Sequence, residues 1–237
     1  TYGIRKKHRT CLPQEPRELD EAYDNRLLRS TLAPFYGRIE RMLAGMLTRK
    51  PVRLEDVSDV VREHLFDVDL QGNDLNVWTY EIARKCVRYG HVGVFVDAPA
   101  AGENGRPYWV AYTPRDILGW RSEIADGKQM LTQLRLKEGL TVPDGLYGEK
   151  RVEQVRVLTP GAFELHQKND RGEYEIVEQG NTSLSEIPFS VAYSNRVAVL
   201  ESRPPLADIA ELNLKAYQVQ SDLDNQLHIS AVPMLAI

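Results

Sequence analysis

The 237-residue sequence has no run approaching the ~20 apolar residues a helix needs to cross a bilayer, and no apolar-cored leader of the kind that directs secretion. A soluble chain made in the cytosol is the expectation. Cysteine is scarce: Cys11 lies among polar residues and Cys86 on an apolar helix face, and two cysteines make no disulfide framework. The default is a reducing compartment, with Cys86 a small core residue rather than a nucleophile. There is no basic surplus either. Thirty Lys and Arg against 34 Asp and Glu give a formal net charge of −4, which argues against a dedicated tight binder of nucleic acid but leaves DNA passing nearby open.

Chemical motifs are missing as well. The five histidines, His8, His64, His91, His166 and His228, are scattered, form no H-x-x-x-H and join no cysteine pair suited to zinc. No G-x-x-x-x-G-K-[ST] or G-x-G-x-x-G cradles a phosphate, and no serine sits in G-x-S-x-G. Asp67, Asp69, Gly72, Asn73 and Asp74 suggest a calcium loop until position 5 proves to be Gln71 and position 12 Trp78, where a bidentate Glu is needed. The better reading is a turn whose Asp74 or Asn76 caps the next helix. No catalytic, metal or cofactor residue is nominated, and no enzyme activity is expected, although a site assembled from distant residues stays open.

What is present is organised around Trp78 to Arg121. In WTYEIARKCVRYG the apolar residues Ile82, Ala83, Cys86, Val87 and Tyr89 recur at three and four, a helix stripe that Gly90 ends as a left-handed C-cap. HVGVFVDA then reads as a strand buried on both faces. A Gly-containing turn at 101–105 returns the chain as PYWVAYT, and Thr113-Pro114-Arg115-Asp116-Ile117 ends that strand, with Ile117 and Trp120 folding back onto the sheet.

Upstream, residues 1–17 are an arm carrying Arg5, Lys6, Lys7 and Arg9, either a solvated leader or a tail touching phosphate or a neighbouring subunit. Residues 18–49 read as helix throughout, with Pro34 kinking or splitting it, and a short helix follows at 57–66. Downstream, QMLTQLRLKE, RVEQVRVLTP, AFELHQK and EYEIVEQ alternate as half-exposed antiparallel strands. The Gly-rich stretch 139–150 reads as the mobile loop between two of them. A final strand, IPFSVAY, leads to a helix over 206–228. There Ile209, Leu212, Ala216, Val219 and Leu223 make an apolar stripe, and Asp208, Glu211, Lys215, Gln218, Asp222 and Asn225 a polar one. The fold class is therefore α+β, antiparallel sheets with packed helices, arranged as an arm (1–17), an α+β domain (18–205) and a closing helix with the start of a strand (206–237). Beginning at Thr1 and stopping within AVPMLAI, the sequence reads as a piece of a longer polypeptide.

Three stretches resemble portal proteins of tailed bacteriophages. The first is the helix, Gly90, buried strand, turn, strand and P-x-D-I order over 79–120. The second is the N-terminal region with Leu12-Pro13, Tyr23, Arg26, Leu27, Gly45, Arg49, Lys50 and Pro51. The third runs from Ile187-Pro188-Phe189 through P-P-L-x-D-I-A-x-L-N-L and D-L-x-x-x-L-H to 233. The resemblance implies a wing-like α+β region leading toward a stem. It also implies a homo-oligomeric ring of twelve subunits at one capsid vertex, in the virion and in host cytoplasm during assembly. The implied partners are a terminase motor, the major capsid protein, tail adaptor proteins and double-stranded DNA in transit, with no membrane and no cofactor. On this reading the polar stripe of the 206–228 helix faces the channel or a neighbouring subunit, and its acidic bias holds DNA only loosely. A generic α+β virion or interaction module, or a nucleic-acid-processing enzyme, are the alternatives.

Overall fold

In the computed structural model, residues 8–99, 105–125, 127–169 and 171–230 are described. The chain divides into two compact units, Thr1–Gly45 with Pro205–Ile237, and Met46–Pro204. The helical stretch 18–45 thus groups with the C-terminal helix rather than with the sheets.

The first unit holds α1 (His8–Cys11), α2 (Asp20–Arg29), most of α3 (Phe35–Leu47) and, from the far end of the chain, α6 (Ala207–Ser230). The long helix expected over 18–49 is split ahead of Pro34. At the end of α2 the Arg26 carbonyl accepts from both the Ser30 amide (2.9 Å) and the Ser30 hydroxyl (2.7 Å), and the chain then runs extended into Pro34.

The second unit is built outward from α5 (Leu75–Tyr89). Asp74 caps it, its Oδ1 accepting from the Val77 amide at 2.8 Å. Gly90 closes it at φ 90°, where a Cβ would stand 2.3 Å from Ser202 Oγ, so both backbone and space demand glycine. The chain then enters β1 (His91–Asp97), the centre of a three-stranded antiparallel sheet flanked by β2 (Tyr108–Tyr112) and β8 (Phe189–Tyr193). Residues 101–104, where the sequence places the hairpin turn, lie outside the described residues.

Strand periodicity sorts the side chains of this sheet onto two faces. Val92, Val94, Ala111 and Ala192 meet Trp78, Ile82 and Cys86 of α5. Phe95, Tyr112, Phe189 and Val191 point the other way, into a core shared with Leu134, Leu136 and Leu158. Those leucines belong to a five-stranded meander of β3 (Ile117–Ala125), β4 (Lys128–Asp144), β5 (Gly148–Thr159), β6 (Ala162–Lys168) and β7 (Tyr174–Asn181), in sequence order. The unit is thus layered helix, sheet, sheet. A two-stranded β9 (Arg196–Ala198) and β10 (Glu201–Ser202) and a short α4 (Asp59–His64) complete it.

Ile117 and Trp120 turn back onto the sheet as the sequence leads one to expect, packing against the core that holds Phe95 and Tyr112, and they do so from within β3. Asp116 makes the turn before them, accepting from the Thr113 amide (3.0 Å) and hydroxyl (2.6 Å). The stretch 139–150 is no loose loop but the continuation of β4 and β5, paired in unbroken register as far as Asp144 and Gly148. Gly139 and Gly148 are tolerated because cross-strand partners satisfy the backbone, and the Arg151 guanidinium lies over the bare face of Gly139.

One charged group is enclosed where the sheets meet. Arg156 of β5 donates to Glu138 Oε1 at 2.7 Å, lies 3.4 Å from Asp97 Oδ2, and sits over the rings of Phe95 and Phe163. Tyr108 donates to Asp97 (3.0 Å), Tyr112 to Glu138 (2.5 Å) and Gln154 to the other Glu138 oxygen (2.9 Å). Burial and the Asp97 carboxylate push the Tyr108 hydroxyl up to about 12. Burial opposes the charge on Arg156, but the Glu138 hydrogen bond and the two carboxylates more than offset this and hold its pKa above the usual value.

Gly93 of β1 has the Phe189 ring in the place of a side chain: a Cβ there would lie 1.9 Å from the ring. Gly93→Ala is expected to lower unfolding stability by about 1–3 kcal/mol, read from urea unfolding. Gly45→Ala in α3, with nothing within 4 Å, should raise it by about 0.5–1 kcal/mol. A second expectation concerns pH. His91 is buried, its Nδ1 2.7 Å from Ser202 Oγ, and burial lowers its pKa from 6.5. The unfolded chain therefore binds the proton more tightly, so stability is intact above pH 6.5 and declines as the pH drops below it. Melting temperatures at pH 7.5 and 5.5 should show the fall, and His91→Gln should reduce it.

Candidate functional site

The described residues of the helical unit build a polar hub and an outward face. The hub is Arg26, 4% exposed. Its Nε and Nη2 donate to the two carboxylate oxygens of Glu18, each at 2.7 Å, and Nη2 also reaches the Pro13 carbonyl at 2.8 Å. Nη1 approaches Ser221 Oγ (3.4 Å) and Asp222 Oδ1 (3.5 Å) of α6. Ser221 also accepts from the Ser30 hydroxyl at 2.7 Å, and Tyr23 donates to the Leu12 carbonyl at 2.8 Å. One planar cation with several donors thereby gathers the leader, α2 and α6. Hydrogen bonding from Arg26 holds the Glu18 carboxyl below its usual value, and Glu18 raises Arg26 in return.

This hub decides which side of α6 turns inward. The buried residues are Asn213, Tyr217 and Ser221, with Asn213 Oδ1 accepting from the Tyr36 amide at 3.1 Å. The apolar stripe that the sequence would bury lies about a third of a turn round the helix. Leu212 is 65% exposed, and Val219, Leu223 and Leu227 are exposed too. On α3, Phe35, Met42, Met46 and Leu47 are likewise exposed.

The polar stripe does not stay together as one free face. Asp208, Glu211 and Lys215 are exposed. Gln218 donates to the Cys11 carbonyl at 3.1 Å, Asp222 faces Arg26, and Asn225 accepts from Arg29 at 3.4 Å. Its C-terminal half therefore helps hold the unit together, because the hub draws those side chains toward the leader and α2. Of the basic arm, Arg5, Lys6 and Lys7 lie outside the described residues, and Arg9 falls within α1 with its side chain undescribed.

In the other unit, the Asp67 to Asp74 stretch is a turn. Asp67 accepts from the Gly72 amide and pairs with Arg106, and Asp69 accepts from the Gln71 amide and the Asn73 side chain, all at 2.7–3.0 Å. Carboxylates aimed at amides and a guanidinium are already occupied. Arg49, Lys50 and Pro51 border an open depression of about 530 Å³ against the start of α5.

Residues 205–237 match a domain of unknown function, DUF4055. The match begins just before α6 and takes in the whole helix. No curated protein matches the chain. No helix among the described residues is long and apolar enough to cross a membrane.

Sequence reasoning missed the inward face of α6 and both buried arginine clusters. The signal was there in part: Ser221 and Asn213, set at helical spacing with Tyr217, are a small-and-polar stripe suited to close approach against a charged neighbour. Arg26→Ala leaves the partly buried Glu18 carboxylate without its partner and is expected to cost about 1–3 kcal/mol. In a double-mutant cycle with Glu18→Gln, the combined loss should be smaller than the sum of the two single losses; urea unfolding of the four proteins measures it.

Proposed function

We propose that this chain is a structural subunit of a bacteriophage portal, one of a ring of copies at a capsid vertex through which double-stranded DNA is packaged and later leaves. The observation that carries this reading is the orientation of α6. A 24-residue helix that turns Asn213, Tyr217 and Ser221 inward and leaves Leu212, Val219, Leu223 and Leu227 exposed presents an apolar face that another copy can cover. With the exposed Phe35 and Met42 of α3 in the same unit, this is surface suited to meeting further copies around an axis. The resemblance at residues 12–51, 79–120 and 187–233 supplies the rest: twelve subunits, a terminase motor that drives the DNA, and contacts with the major capsid protein and tail adaptors. Exposed Asp208 and Glu211 against Lys215 would touch phosphate weakly, as a passage for sliding DNA requires. The role is geometric, with no catalysis.

Electron microscopy of the purified chain is expected to show a rotationally symmetric ring with a central opening. Leu212→Glu with Leu223→Glu should shift it to monomers in sedimentation while changing the unfolding free energy of the subunit by no more than about 0.5 kcal/mol, since both side chains are exposed. Monomers alone at high concentration of the full-length protein, or an assembly with a closed middle, would overturn the reading. Labelling that finds the protein in virions away from the vertex would favour a different interaction module.

A further inference from the structure

The ribbon formed by β4 and β5 extends past its neighbours. β3 pairs with β4 only as far as Leu136, and β6 joins β5 only from Gln154. Between them, Gly139 to Asp144 and Gly148 to Glu153 pair only with each other, a two-stranded arm of roughly 20 Å at about 3.3 Å per residue. Its turn carries Gly145, at φ 73°, then Leu146 and Tyr147, which are 85% and 95% exposed. Two strands alone in water are only marginally stable. A leucine and a tyrosine at the outermost point of such an arm contribute nothing to the core behind it, and they are of the types that anchor interfaces. The charged side chains nearest the tip, Asp144 on one strand and Glu149 on the other, are both acidic, with Lys150 and Arg151 set further back.

The same unit offers a surface of the opposite kind. The depression of about 530 Å³ beside α5 is lined by Pro51, Val52, Val77 and Tyr80, with Arg49 and Lys50 its only charged residues. One wall is pinned, because the Val52 amide donates to Asn76 Oδ1 at 2.9 Å. An apolar knob with an acidic collar and an apolar hollow with a basic rim match in both hydrophobicity and charge.

Resting on the ring reading, we infer that the Leu146–Tyr147 tip of one copy inserts into the Pro51–Tyr80 depression of the next. Because knob and hollow are different surfaces, the contact is head-to-tail, the kind that propagates from copy to copy and closes into a ring when the rotation allows. It gives Arg49-Lys50-Pro51 a task in partner recognition and the β4–β5 arm a reason for its length.

Cross-linking of the full chain tests the inference. Copies carrying Tyr147→Cys and copies carrying Val77→Cys, both in a Cys11→Ser background, are mixed, oxidised and run on non-reducing gels. Mixed dimers should dominate over either homodimer. In parallel, Arg49→Glu with Lys50→Glu should weaken self-association at least tenfold in sedimentation. Adding Asp144→Lys and Glu149→Lys should restore most of it. These are surface positions, and an unchanged unfolding midpoint confirms that each variant folds. Rings that form with no mixed dimer, or with Tyr147 homodimers instead, overturn this contact and leave the ring reading standing. An unsubstituted chain that stays monomeric at every concentration overturns both.

Discussion

A guanidinium cannot give up its proton inside a protein, so wherever the chain buries one, the surrounding structure must bring anions and carbonyls to it. Both units are arranged around that constraint. Arg26 collects Glu18, the Pro13 carbonyl, Ser221 and Asp222; Arg156 collects Glu138 and Asp97, with the tyrosines and Gln154 completing the carboxylates. In each case a hydrogen-bonding pattern with fixed directions selects one alignment of segments far apart in sequence, which apolar packing alone would leave looser.

The constraint has a consequence for the surface. Because α6 meets α2 and the leader through polar groups, its aliphatic stripe has no role within its own unit. The side chains at 212, 219, 223 and 227 therefore remain in solvent. An apolar face displaced in this way needs a partner, and the helical unit presents it along several turns. The sheet unit does something comparable by other means: it spends residues on an arm whose end is apolar and whose strands gain support only from each other.

Within the sheet unit, layering follows from the two-residue period of β1. One face accepts α5 through small and β-branched residues; the other accepts the five-stranded sheet through Phe95 and the leucines of β4 and β5. Gly93 permits this by making room for the Phe189 ring, and Gly180 does the same for Phe163. The first of these approaches couples strands distant in sequence, the second two consecutive strands of the meander.

Local structure was written in the sequence: the stripe of α5 with its Asp74 cap and Gly90 stop, the doubly buried β1, the break before Pro34, the alternating strands and the α+β class all rest on interactions a few residues long. Leu12, Pro13, Tyr23 and Arg26, marked only as a spacing pattern, converge in space as Tyr23 meets the Leu12 carbonyl and Arg26 the Pro13 carbonyl. What periodicity could not give is which side of an amphipathic helix has a partner. A stripe says that one face of α6 is apolar, but the direction it faces is decided by an arginine almost two hundred positions earlier. Likewise the glycines of 139–150 signal a loop locally, and only cross-strand pairing, a long-range property, turns them into an arm. Short-range periods and caps determined the elements; buried charge and strand register, which act between segments remote in the chain, decided how they face one another and what they leave uncovered.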